Sequence, residues 1–167
     1  MVEDVSVRSL AEALVNALAA TGKTVTTAES CTGGWIAKAI TDIPGSSAAF
    51  AYGVVSYSNA AKESLLGVQS PTLDGNGAVS EAVVIEMAAG ALNLSAADYA
   101  VSVSGVAGPD GGSDDKPVGT VWFAWAERDG NNSRISAEKQ QFAGDRNEVR
   151  VQSVACALQG LLVRIGT

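Results

Sequence analysis

No histidine occurs anywhere in the 167 residues. Imidazole is the side chain that ordinarily takes and returns protons near neutral pH. Its absence excludes Ser-His-Asp and Cys-His hydrolysis together with every histidine-ligated metal site. Cysteine is scarce as well: Cys31 and Cys156 are the only two. They match neither a disulfide framework nor a zinc pattern, so no metal site is expected. Cations are in deficit, with 11 Lys and Arg against 18 Asp and Glu for a net charge of −7. Such a chain is a poor partner for a long phosphate backbone, and no nucleic acid is expected. No run approaches the roughly 18 apolar residues that a membrane span needs. The acidic start Met1-Val2-Glu3-Asp4-Val5 lacks the basic and apolar regions of a signal peptide. A cytoplasmic protein without membrane partners is the expectation.

What is present suits a globular core. Apolar residues make up 47% and charged residues 17%, a balance that excludes disorder. The length fits one domain spanning residues 1–167. Val7, Leu10, Ala11, Leu14 and Leu18 recur at helical spacing over 5–20, and Gly22 stands where a C-terminal cap belongs. A strand over 24–28 runs into Glu29-Ser30-Cys31-Thr32-Gly33-Gly34, which opens a helix from Trp35 to Thr41. The continuous apolar run from Phe50 to Tyr57 predicts a strand buried on both faces. Ser58-Asn59 caps a short helix ending at Gly67, and the stretch 70–77 reads as loop. Ser80 caps a helix with the stripe Val84, Met87, Ala88, Ala91 and Leu92. A strand over 98–104 leads into a glycine-rich loop, 105–116, and strands over 118–126 and 135–142 form a hairpin. Asp145 and Glu148 form a capping box for the last helix. This alternation predicts a three-layer α/β/α sandwich on a mixed, mostly parallel sheet of about five strands. The segments 29–34, 57–62 and 105–116 all follow strands, and they line one pocket if strand order brings them together.

Several residues offer chemistry. The glycine turn 29–34 is either an anion site at a helix start or simply a tight capped turn. Cys31 is a nucleophile lowered by the helix end or a small buried thiol. Without histidine, a serine needs a neutral lysine or a carboxylate as its base. Lys62, flanked by Ala60, Ala61, Leu65 and Leu66, suits that role if it is desolvated. Paired with Glu63 on an amphipathic surface, it does not. Tyr57 stands where it can relay a proton or orient the amine. Two other Ser-x-x-Lys spacings, 113–116 and 136–139, lie in a loop and on a strand, where the pair cannot share a helical face. Arg146 sits in the first turn of the last helix, where the dipole prefers acids; it is solvated, or it awaits an anion.

Taken together, these strings resemble a known family. Thr26–Gly34, Pro44-Gly45-Ser46-Ser47, Tyr57–Lys62, Gly77-Ala78-Val79-Ser80, Ser104–Gly112, Lys116–Val121 and Gly144-Asp145-Arg146 are similar, in order, to the C-terminal domain of the competence/damage-inducible CinA family. The resemblance implies a cofactor-free serine–lysine amidohydrolase that converts nicotinamide mononucleotide to nicotinate mononucleotide and ammonia. It implies Ser47 as nucleophile and Lys62 as general base, with Tyr57 and Ser30 assisting. Substrate contacts are expected from Thr32, Gly33, Gly34, Ser46, Gly105 and Arg146, and oxyanion donors from the Gly45–Ser47 turn. Self-association as a dimer is implied too. The family's name also allows a non-catalytic nucleotide-sensing or protein-interaction module.

Overall fold

The computed structural model describes residues 2–166, with side chains from Ser6 onward; the side chains of the acidic start at 1–5 lie outside the described residues. Helix α1 (Val2–Thr21) precedes strand β1 (Val25–Glu29) and helix α2 (Trp35–Thr41). A 3-10 turn (Ser46–Ala48) leads to β2 (Val54–Val55) and α3 (Asn59–Leu66). Then come α4 (Ser70–Asn76), α5 (Glu81–Ser95), β3 (Tyr99–Gly105), the hairpin β4 (Thr120–Asp129) and β5 (Asn132–Gln141), and α6 (Arg146–Ile165). The sheet order is β2-β1-β3-β4-β5. Strands β1, β2 and β3 run parallel, while β4 is antiparallel to both β3 and β5. Four of the five strands therefore point one way.

Period-two alternation assigns the two faces. Val101, Val103, Val121, Phe123 and Trp125 project into one core with α1, α2 and α6. Their neighbours Ala100, Ala124 and Ala126 face α3, α4 and α5. Within that helical layer α5 and α3 pack closely: a Cβ on Gly90 of α5 would lie 1.9 Å from the Leu66 carbonyl oxygen of α3. The capping box at Asp145 forms as the sequence predicts.

Two expectations fail. The 50–57 run is not a strand buried on both faces. Only Val54 and Val55 form a strand, Phe50 makes a single isolated bridge to Val25, and Tyr52, Val55 and Tyr57 are exposed. β2 is an edge strand with β1 as its one neighbour, so apolar character there does not report burial. The stretch 70–77 is helical rather than loop. Pro71 is compatible with a first helical turn, Leu73 is buried beneath α5, and Glu86 of α5 accepts hydrogen bonds from the Gln69 amide and the Thr72 hydroxyl. The capping carboxylate comes from another helix, so local sequence does not announce it.

Candidate active site

Because β1, β2 and β3 are adjacent and parallel, their C-terminal ends share one edge of the sheet. The segments that follow them meet around a cavity of about 320 Å³. Ser30 and Cys31 come from the end of β1, Tyr57, Asn59 and Lys62 from beyond β2, and residues 105–108 with Asp110 and Gly111 from beyond β3. Arg146 of α6 and Ala78–Val79 complete the wall. This is the convergence of 29–34, 57–62 and 105–116 expected above.

Lys62 is among the largest fully buried side chains, with 1% of its surface exposed. Its surface pairing with Glu63 is therefore excluded; Glu63 instead accepts from Ser70. The Lys62 Nζ lies 3.1 Å from Ser30 Oγ, 2.9 Å from the Ser56 carbonyl oxygen and 3.3 Å from that of Tyr57. Burial lowers its pKa below the ordinary lysine value of 10.5. A neutral amine has two N–H bonds and one lone pair. Two carbonyls are present to accept the two N–H bonds, which leaves the lone pair facing the Ser30 hydroxyl. The arrangement equips Lys62 to remove the Ser30 proton.

Ser47 is not brought to this amine. It is exposed on the 3-10 turn and absent from the cavity wall, as are Gly45 and Ser46. The Ser46 amide is already spent on Ile43. The expected Ser47–Lys62 pair is therefore replaced by Ser30–Lys62: α3 folds back over the end of β1, and the turn does not. Tyr57 meets Lys62 through its carbonyl rather than its phenol, which accepts from Arg146 at 3.1 Å on the rim.

The turn at 32–34 is not an open anion site either. The fully buried Glu29 carboxylate accepts from the Ile36 amide at 2.9 Å and the Ala37 amide at 3.0 Å, and Trp35 donates to the Thr32 carbonyl. The chain's own carboxylate thus occupies the helix start, and Thr32, Gly33 and Gly34 do not line the cavity. Of the expected contact residues, Gly105 and Arg146 do line it. Cys31 is a buried thiol pushed up to about 11 by desolvation, too high for a thiolate near neutral pH.

Sequence reasoning missed Arg150. Its guanidinium donates to the Cys31 and Thr32 carbonyls at 3.1 and 3.0 Å and stacks on Trp35, clamping the turn that carries Ser30. The signal was present: Arg146 and Arg150 are one helical turn apart on α6. Ser104 was quoted only within a motif, yet it lines the cavity and anchors the Ala78 carbonyl at 2.8 Å.

Comparison with known proteins agrees with this architecture. A family model described as the CinA C-terminal domain matches residues 7–165. The chain is 58% identical to a nicotinamide-nucleotide amidohydrolase PncC from Escherichia coli K12, covering 95% of this chain and 94% of that protein. It is 59% identical to one from Pseudomonas putida, with 86% of each covered. A competence/damage-inducible protein from Agrobacterium tumefaciens superposes with a TM-score of 0.91 at 41% identity, covering 97% of this chain and 96% of that one. A CinA-superfamily protein from Klebsiella pneumoniae gives 0.89 at 43%, with 95% and 97% covered. This chain belongs to the CinA C-terminal domain family.

Proposed function

We propose that the chain hydrolyses the carboxamide of nicotinamide mononucleotide to nicotinate mononucleotide and ammonia, with Ser30 as nucleophile and Lys62 as its base. The observation that carries this reading is the 3.1 Å contact between a buried amine and a serine hydroxyl on a cavity wall, in a chain that has no histidine. The likeness to full-length proteins named nicotinamide-nucleotide amidohydrolase supports the substrate.

Neutral Lys62 takes the Ser30 proton as Oγ attacks the carboxamide carbon. The amide of Cys31, next in the chain, donates to no backbone carbonyl among the described residues and is the donor we assign to the developing oxyanion. Collapse of the tetrahedral intermediate breaks the C–N bond, and the Lys62 ammonium returns its proton to the departing nitrogen, releasing ammonia. A water, deprotonated by the same amine, then cleaves the nicotinyl ester and restores Ser30. We assign the phosphate to Arg146, the guanidinium on the cavity wall. The two free cysteines suit a reducing cytoplasm. The exposed side chains of Tyr52, Val55 and Leu94 offer apolar surface for the expected dimer.

Ammonia release from nicotinamide mononucleotide tests the reading. Ser30→Ala should lose about 10³-fold in kcat, while Ser47→Ala should lose far less. The nucleophile assignment fails if the two variants behave the other way round. Ligand binding without ammonia release by the wild type overturns the enzymatic reading in favour of a nucleotide sensor.

A further inference from the structure

We infer that Asp110 makes the cavity selective for a ligand whose ring carries a positive charge, an N-ribosylated pyridinium amide in preference to an uncharged one. The inference deepens the proposed function and rests on it.

Charge on the cavity wall is sparse. Lys62, Arg146 and Asp110 are its only Lys, Arg, Asp or Glu side chains. Lys62 is committed to Ser30 and two carbonyls, which leaves one guanidinium and one carboxylate. Asp110 makes no hydrogen bond or ion pair with any described residue; the ion pairs among the described residues join Lys23 to Asp98, Lys38 to Asp42, and Arg134 to Glu127 and Asp129. Arg146 reaches the same loop, donating to the Gly108 carbonyl at 2.7 Å. It nonetheless does not pair with Asp110 two residues later.

The loop is held rather than loose. A Cβ on Gly108 would lie 2.6 Å from Val118, and one on Gly112 would lie 2.8 Å from the Val118 amide. The Lys116 ammonium ties the loop's far end to the Asn76 carbonyl at 2.6 Å. Asp114 and Asp115 share the loop but not the wall. Asp110 is thus the one acidic residue on the wall, which it shares with Arg146, a cation in no ion pair among the described residues.

The substrate has the matching polarity. Ribosylation makes the pyridine nitrogen quaternary and cationic, and the phosphate is anionic. With Arg146 toward the phosphate, Asp110 is the group left to meet the ring's charge. An uncharged ring would desolvate Asp110 and return nothing.

The experiment compares two ligands that share ribose and phosphate. Oxidised nicotinamide mononucleotide has the cationic ring; its reduced form has a neutral dihydropyridine. For Asp110→Asn, the KM of the oxidised form should rise about tenfold, the size expected of one partly screened charge pair. The inhibition constant of the reduced form should stay within about twofold, and Asp110→Glu should retain most of the preference. Equal weakening of both forms would assign Asp110 to the ribose or to loop structure and overturn the inference. No change in either, or a reduced form that neither protein binds, overturns it as well. If the wild type releases no ammonia from the oxidised form, it is the proposed function that fails, an outcome readable before any variant is made.

Discussion

Replacing Lys62 with methionine should separate activity from stability. Methionine keeps a flexible chain of similar length and removes the amine. The loss includes contacts at 2.9, 3.1 and 3.3 Å, about 1 kcal/mol each. Against that stands relief of desolvation for an amine only 1% exposed. Burial holds the folded pKa below 10.5, and each unit of lowering costs the fold about 1.4 kcal/mol at neutral pH. The two contributions oppose, so Lys62→Met should unfold in urea at pH 7 within about 2 kcal/mol of wild type, while kcat falls about 10³-fold. The pH dependence has a definite sign. Between the lowered folded pKa and 10.5 the unfolded chain binds the lysine proton and the folded chain does not, so wild-type stability gains from this group as pH rises. The variant lacks that contribution. Cys31 and Cys156, pushed up to about 11, act in the opposite sense above pH 9.0. Cys156 cancels in the difference, while loss of the Lys62 charge, which holds the Cys31 thiol down, pushes that thiol further up in the variant and widens the difference in the same direction. The wild-type rate should likewise rise with pH through the lowered pKa. The reasoning is refuted if Lys62→Met keeps a tenth of wild-type turnover, or if wild type and variant show identical stability slopes between pH 7 and 10.

Two further perturbations probe what supports the site. Glu29→Gln replaces one of two acceptor oxygens facing the Ile36 and Ala37 amides with a donor; a loss of about 2–3 kcal/mol in urea unfolding and a lowered kcat are expected, and unchanged stability would contradict the capping role. In Gly160→Ala the new Cβ would lie 2.2 Å from the Trp125 indole, which packs under α6 and donates to the Ala157 carbonyl at 3.1 Å. A cost of about 1–3 kcal/mol with shifted tryptophan fluorescence is expected, and a variant as stable as wild type would show that the helix moves away freely.

How much was legible follows from which interactions are local. Ser80, Asp145 and Glu148 cap their own helices within three or four residues, and those starts could be read directly. The apolar stripe of α5 and the β4–β5 hairpin are likewise written at short range. Helix α4 was missed because Glu86 caps it from α5, and the 50–57 run was misjudged because an apolar string does not say whether it has one neighbour or two.

The sequence by itself determined that catalysis here has no imidazole to use, and that three strand-following segments carry the polar chemistry. For Lys62 it left two readings open, a desolvated base among small and apolar neighbours or a surface lysine paired with Glu63. Only the tertiary structure decided which hydroxyl this lysine meets and which carboxylate fills the start of α2. Ser30 and Ser47 are both serines within a few residues of a glycine, and nothing local distinguishes them. The distinction arises because parallel pairing of β1 with β2 and β3 brings the ends of those strands together, carrying Ser30 to Lys62 and leaving the 3-10 turn outside. Distance across a sheet is set by strand order, a property of the packed chain that no single segment encodes.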